Sequence, residues 1–301
     1  MTDASTASSR RAVVLGGGGI AGIAWHLGVL AELLAQGVDL GAADLVVGTS
    51  AGSVAGTILR FGQVPLVYSL QAAAPGAVPA EDAEDENAPG ITAGDADIAV
   101  LWERLQSILA GATGEQDARA RLGRAAVEHS NGAESPLLAT IGAQFPAAFG
   151  WPAGALGITV VEAETGEFRV LDSSSGVSLT QAVAASCSVP LVFPPVEIDG
   201  SYYVDGGVRS GTNADVASGY DSILVLACGP EDPRSPMGPQ LDAAVATLRG
   251  EGSSVHVIVA DDESLAAFGT NSLSDASRVP SALAGRRQGA LVADAVAGFW
   301  G

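Results

Sequence analysis

The feature that most constrains this chain is residues 44–53, where an apolar strand pattern runs directly into a G-x-S-x-G motif at 48–52. An apolar helical pattern follows at once. A serine at a sharp strand-to-helix turn needs small neighbours, because its backbone is strained and its hydroxyl must stay uncovered; Gly48 and Gly52 meet this need. The segment therefore predicts Ser50 as a nucleophile at a helix N-terminus, where free N–H groups favour negative charge. A serine that only caps the helix is the simpler interpretation.

A glycine-rich loop at 16–22 precedes this segment and follows a first apolar strand pattern at 11–15. Beyond the loop, leucine and isoleucine recur at helical spacing. A strand, a helix and a second strand form a right-handed βαβ unit with a parallel sheet, and ligands bind at the carboxyl ends of such strands. We therefore expect an α/β fold in which the glycine loop and Ser50 face the same crevice.

The glycine loop can point backbone N–H groups at an anion, and two kinds of anion fit it. A dinucleotide pyrophosphate is one, because residues 17–22 match G-x-G-x-x-G and Asp39 or Asp44 follows at the distance expected for a ribose contact. The oxyanion of an acyl-transfer intermediate is the other, with a further donor in the N–H of Ala51. A purely structural glycine turn needs no ligand.

The middle of the chain combines an irregular segment with local patterns. From Pro65 to about residue 97 the helical pattern fails, and we interpret 72–97 as an acidic, proline-rich excursion, either a solvated loop or a lid. Helical patterns follow, and a hairpin is expected over 156–171. Asp205 ends a later strand, before two glycines, where its simplest role is to form a turn.

Composition excludes several classes of protein. The net charge is −20, which makes nucleic acid an unsuitable partner and would repel an anionic bilayer, so any transient contact with a membrane surface must depend on apolar groups. The two cysteines, Cys187 and Cys228, are too few for a disulfide framework and lack metal-ligand spacing. With no 18-residue apolar run and a polar segment at 1–10, we expect a cytoplasmic protein with a disordered tail before a single domain at 11–301.

In four blocks the chain resembles the patatin-like phospholipase family: the loop at 16–22, the turn at 48–52, the proline-rich block at 185–195 and the Asp-Gly-Gly sequence at 205–207. The resemblance implies a three-layer α/β/α fold with a mainly parallel central sheet. It also implies hydrolysis of lipid acyl esters by a dyad of Ser50 and Asp205, without a cofactor or metal. The residues that support these motifs are Gly16, Gly22, Gly48, Gly52, Pro190, Gly206 and Gly207.

The resemblance also implies a mechanism, in which Ser50 attacks the ester while Asp205 takes its proton and an acyl-serine forms. Free aspartate, with a pKa of about 3.9, is poorly matched to this task, so oxyanion stabilisation must supply most of the rate. The expected oxyanion donors are the backbone N–H groups of Gly17, Gly18, Gly19 and Ala51. One position departs from the family, which commonly has arginine or lysine where this chain has Ala21.

Four alternatives remain open at this stage. His256 could complete a Ser-Asp-His triad, but it lies inside a strand pattern at 255–259, where a buried, hydrogen-bonded core histidine is expected. A thioesterase or acyltransferase would use the same acyl-serine. A nucleotide-binding module would use only the glycine loop, and a non-catalytic lipid-binding protein would keep the crevice without the chemistry.

Overall fold

The computed structural model describes residues 9–73, 107–145 and 149–301. Most of the predicted N-terminal tail, residues 1–8, and nearly all of the predicted acidic excursion lie outside these residues, whereas Arg10, predicted to belong to the tail, donates its N–H to Asp221 at 2.7 Å. The strands are β1 Arg11–Leu15, β2 Leu45–Gly48, β3 Leu156–Glu162, β4 Phe168–Leu171, β5 Val196–Ile198, β6 Ser201–Asp205, β7 Ser222–Ala227 and β8 Ser254–Val259. The helices are α1 Gly19–Ala35, α2 Ala51–Arg60, α3 Val64–Ala72, α4 Glu115–Ser130, α5 Leu137–Gln144, α6 Leu179–Ser186, α7 Leu241–Gly250, α8 Asp262–Phe268 and α9 Arg278–Trp300.

The described strands form one mixed sheet in the order β5-β6-β3-β2-β1-β7-β8, with β4 paired to β3. The five strands from β3 to β8 in this order are parallel, whereas β4 and β6 run antiparallel to β3. The hairpin expected over 156–171 is β3 and β4. The predicted α/β fold with a mainly parallel sheet is therefore confirmed.

Helices cover both faces of the sheet. Alternate residues of each parallel strand point to opposite sides, and because both sides are apolar, both must be buried. On one face, Val13 and Leu15 pack with the apolar side chains of α1 and α2. On the other face, Ala12 and Val14 pack with Leu241 and the other buried residues of α7. The result is the three-layer arrangement that the family resemblance implies.

The winding of the chain reverses between β1 and β7. Helix α1 joins β1 to β2 on one face, and α7 joins β7 to β8 on the other. In such a sheet the loops after the two central strands diverge and leave a crevice outside their carboxyl ends, where ligands usually bind. The glycine loop, which follows β1, lies at one side of this crevice.

Helix α3 corrects the sequence prediction, which found no helical pattern after Pro65. Proline occupies the first turn of this helix, where its missing N–H costs nothing because no intrahelical acceptor exists there. The Arg278 guanidinium then donates to the carbonyls of Leu70 and Gln71 at 3.0 and 2.9 Å, near the helix C-terminus. Among the described helices, none combines the length and the apolar character needed to cross a bilayer.

Candidate active site

Strand pairing explains how Ser50 meets Asp205 across a long stretch of sequence. Strand β4 occupies one edge of β3, so β2 and β6 share the other edge, one after the other. They run toward each other along it: Gly48 at the end of β2 pairs with Ile158, and Asp205 at the end of β6 pairs with Val160. The two strand ends therefore meet head to head, and the turn after Gly48 carries Ser50 to the carboxylate.

Ser50 occupies the strained turn that the G-x-S-x-G motif predicts. Its backbone has φ 52° and ψ −118°, a region that non-glycine residues adopt only where their surroundings hold them. The Ser186 hydroxyl accepts the Ser50 N–H at 2.9 Å, and the Ser53 hydroxyl donates to the Ser50 carbonyl at 2.7 Å. A Cβ at Gly52 would lie 1.9 Å from the Leu15 carbonyl oxygen, so only glycine fits there.

Asp205 is buried, with 4% of its surface exposed. Its Oδ1 accepts the Gly207 N–H at 2.7 Å, and its own N–H donates to the Ser188 carbonyl at 3.0 Å. Burial raises the pKa of Asp205 to about 7, although hydrogen bonds from the Ser50 side chain and the Gly207 N–H act in the opposite direction. The higher pKa reduces the mismatch expected for free aspartate but does not remove it, because a serine hydroxyl is a far weaker acid, so oxyanion stabilisation must still supply much of the rate.

The glycine loop reaches the site with fewer available N–H groups than the sequence predicts. The Gly17 N–H donates to the Gly211 carbonyl at 2.7 Å, so it already has an acceptor and is not free to donate to an oxyanion. Helices α1 and α2 begin at Gly19 and Ala51, where an N–H has no intrahelical acceptor. Within the described part of the chain, the N–H groups of Gly18, Gly19 and Ala51 have no acceptor.

Asn213 joins the two turns of the site, and sequence reasoning missed it. It is fully buried, and its side-chain amide donates to the Thr49 hydroxyl and to the Gly206 carbonyl, both at 3.1 Å. The Thr49 hydroxyl also lies 2.8 Å from that of Thr159 on β3. Asn213 has φ 50°, a conformation in which asparagine is enriched, but that preference alone does not locate a residue at a site.

His256 lies away from this site. It is in the interior of β8, as expected, and pairs with Leu224 of β7. Strand β8 is three strand spacings from β2, about 14 Å. The side chain is half-buried rather than buried, and its ring lies 5.4 Å from that of Phe299. The triad alternative is therefore wrong, because the histidine lies on a distant strand.

The ribose contact of the nucleotide-binding alternative is also wrong. The Asp44 carboxylate accepts the Arg11 N–H at 2.6 Å, at the amino end of β1. Asp39 accepts the Gly41 N–H at 2.8 Å, in the turn that leads toward β2. Both aspartates therefore lie at the opposite end of the strands from the glycine loop. Among the described residues, no three His, Cys, Asp or Glu side chains converge as metal ligands.

Comparisons with known proteins gave two solved structures and one family model. The VipD structure from Legionella pneumophila is 16% identical with a TM-score of 0.42, and the alignment covers 96% of this chain and 67% of that one. The type III effector ExoU is 13% identical with a TM-score of 0.34, covering 94% of this chain and 53% of that one. No curated protein sequence matches significantly. The family model described as patatin-like phospholipase matches residues 13–218, more than half of the sequence, and the chain therefore belongs to the patatin-like phospholipase family.

Proposed function

We propose that this protein is a serine acyl hydrolase that cleaves lipid or related acyl esters, with Ser50 as nucleophile and Asp205 as base. The observation that carries the proposal is the pairing of a strained, buried serine with a buried carboxylate whose pKa is raised to about 7. A turn or a helix cap requires neither the burial of that carboxylate nor its hydrogen bond with the serine. Membership of the patatin-like phospholipase family favours a lipid substrate.

The first half of the reaction forms an acyl-serine. The Ser50 oxygen attacks the ester carbonyl carbon while the Asp205 carboxylate takes the hydroxyl proton. The N–H groups of Gly18, Gly19 and Ala51 stabilise the oxyanion of the tetrahedral intermediate, and losing one such donor typically costs about 2.7–4 kcal/mol. The intermediate collapses when the carbon–oxygen bond to the alcohol breaks and Asp205 returns the proton to the departing oxygen.

The second half releases the acid with the same groups. Asp205 takes a proton from a water molecule, whose oxygen attacks the acyl-serine carbonyl and forms a second tetrahedral intermediate. That intermediate expels the Ser50 oxygen, which recovers its proton from Asp205. Each group ends as it began, so the cycle needs no other reactant.

At position 21, where the family commonly has a basic residue, this chain has alanine. Oxyanion stabilisation therefore depends on backbone N–H groups alone. Ala21 is fully buried, and its N–H donates to the Ser272 carbonyl at 3.0 Å. No positive side chain extends from this position toward a substrate phosphate. With a net charge of −20, contact with a lipid surface would depend on apolar groups.

Labelling with a fluorophosphonate tests the proposal, read by intact mass and peptide mapping. We expect a single adduct on Ser50 of the wild-type protein, formed faster as the pH rises through about 7, and none on Ser50→Ala. Asp205→Asn should react about a hundredfold or more slowly, because a general base typically contributes that much. Asp242→Asn, which removes an exposed aspartate from the first turn of α7, serves as the matched control. A folded wild-type protein that forms no adduct on Ser50 would overturn the proposal.

A further inference from the structure

A cavity of about 250 Å³ lies in the crevice between β1 and β7, beside the glycine loop. Its walls come from the loops after these two strands, at 16–18 and 227–231, together with residues 211–212, Phe268 and Ser272. This is the position at which the winding of the sheet reverses, where α/β proteins usually bind ligands. The cavity lies on the glycine-loop side of the proposed dyad, and Ser50 is not among its lining residues.

The glycine loop borders both this cavity and Ser50. A Cβ at Gly17 would lie 3.5 Å from the Ser50 Cβ, and Gly17 also lines the cavity. An ester whose carbonyl oxygen sits at the Gly18 N–H can therefore extend one end into the cavity. The lining combines glycine backbone and one carboxylate with apolar groups such as Phe268 and Pro230, and a volume of about 250 Å³ suits a small alcohol portion rather than a long acyl chain.

The cavity has an acidic wall. Glu231 is the single charged side chain among the described residues that line it. Its position is fixed, because Oε2 accepts the Leu241 N–H at 2.8 Å and the Ser210 hydroxyl at 3.1 Å. No described lining residue is an arginine or a histidine, so no positive side chain on these walls offsets the carboxylate, and only the Leu241 N–H at the N-terminus of α7 and the Ser210 hydroxyl compensate it in part. A negative charge brought into the cavity would meet direct repulsion.

We propose that this cavity binds the alcohol portion of the ester and that Glu231 selects uncharged and cationic alcohols against anionic ones. The inference rests on the proposed acyl hydrolase function. It assigns Glu231 a role in specificity: the residue acts on the part of the substrate that leaves, and the acyl transfer to Ser50 proceeds without it.

Three water-soluble butyrate esters test this role: those of glycerol (neutral), choline (cationic) and glycerol 3-phosphate (anionic). They share one acyl chain, and kcat/KM is measured at constant ionic strength. In the wild-type protein we expect the anionic ester to be hydrolysed at least about tenfold more slowly than the neutral one. Glu231→Gln, which keeps an oxygen to accept the Leu241 N–H, should reduce that ratio about tenfold. Glu251→Gln removes an exposed carboxylate at the end of α7, away from the cavity, and should leave the ratio unchanged.

The outcomes separate this inference from the proposed function. If Ser50 takes no fluorophosphonate and no ester is cleaved, the proposed function fails. If Ser50 is labelled but the wild-type protein cleaves the anionic ester as fast as the neutral one, the selection is wrong whatever happens to the variants. An unchanged ratio in Glu231→Gln, or labelling of Ser50 without cleavage of any of the three esters, also overturns it.

Discussion

The two halves of the site are held in different ways. On the Ser50 and Asp205 side, buried polar side chains hold the backbone: Ser186 accepts the Ser50 N–H, and Asn213 joins the Thr49 hydroxyl to the Gly206 carbonyl. On the glycine-loop side, the contacts are between backbones, as in the bond from Gly17 to Gly211. The first half is therefore sensitive to the loss of hydrogen bonds, and the second to the addition of atoms.

The absence of side chains determines where the glycine loop can lie. A Cβ at Gly18 would approach the Cys228 Sγ to 2.6 Å, and one at Gly22 would approach it to 3.0 Å. A Cβ at Gly19 would lie 2.7 Å from the Ser272 carbonyl oxygen. These distances are shorter than the normal separation of packed, non-bonded atoms. The loop thus packs between the segments after β7 and α8 without space for a methyl group.

The largest effect in this comparison is expected for Gly18→Ala. The added methyl group must displace the loop from Cys228, which moves the Gly18 and Gly19 N–H groups away from the developing oxyanion. We expect kcat for ester hydrolysis to fall about a hundredfold, the loss typical of removing one oxyanion donor. Thermal unfolding measured alongside should show a folded protein, and Gly250→Ala, at a helical glycine with open space around it, is the control.

A second substitution shows whether collision is the cause. Cys228→Gly removes the two atoms that lie 2.6 and 2.8 Å from the new Cβ, so Gly18→Ala with Cys228→Gly should recover part of the lost activity. The Gly22 Cα, at 2.9 Å, still prevents full recovery. If the double variant is as slow as Gly18→Ala alone, the loop is not positioned by this contact.

A smaller effect is expected for Asn213, which acts through the turns that it joins. Asn213→Gly keeps the φ of 50° but loses the amide, so the turns at Ser50 and Asp205 lose their shared partner. We expect kcat to fall about tenfold with KM nearly unchanged, and stability to fall by about 1–3 kcal/mol because a buried carbonyl is left unpaired. Asn131→Gly, at an exposed asparagine with φ 48°, should change neither. A rise in KM without a fall in kcat would argue against a positioning role.

The residues of the site also show what the sequence could and could not predict. The turn at Ser50 and the β3 to β4 hairpin were predictable because each depends on neighbours in sequence. The approach of Asp205 to Ser50 depends on which edge of β3 two distant strands share, and the family resemblance, rather than any local pattern, indicated it. Asn213 gave no local signal at all.

The prediction of oxyanion donors failed at Gly17 for the same reason. Whether an N–H is available depends on what lies opposite it, and the acceptor of the Gly17 N–H is Gly211, far along the chain. The aspartates assigned to a ribose were at the right spacing but at the wrong end of the strands. The number of residues between the glycine loop and an aspartate does not show at which end of the strands that aspartate lies. That depends on the path of the chain between them.

Asp205 is expected to affect stability as well as activity. Its pKa is about 7 in the folded protein against 3.8 ordinarily, so the folded state binds this proton more tightly, and stability is lost as pH rises through about 7. Asp205→Asn removes that loss, since an amide oxygen can still accept the Gly207 N–H. We expect its stability relative to wild type to increase by about 2 kcal/mol between pH 5 and pH 8.

Chemical denaturation at the two pH values measures this change, with Asp242→Asn as the exposed control. The control should show the same difference from wild type at both values, because an exposed carboxylate has no burial penalty to remove. A pH-independent effect of Asp205→Asn would mean that the buried carboxyl is not the group that titrates near neutral pH, and that the proposed base is protonated or charged throughout this range.

The smallest effect is expected at His256, and it tests the dyad against a triad. It lies on β8, three strands from the strand that leads to Ser50, and its ring packs near Phe299 of α9. His256→Gln should therefore change kcat/KM less than about twofold, whereas loss of a triad histidine typically costs a factor of a thousand or more. Phe299→Leu, which changes the same packing without removing an imidazole, is the matched control. If only His256→Gln abolishes hydrolysis while Asp205→Asn remains active, the base is the histidine, and the head-to-head meeting of β2 and β6 has a purely structural role.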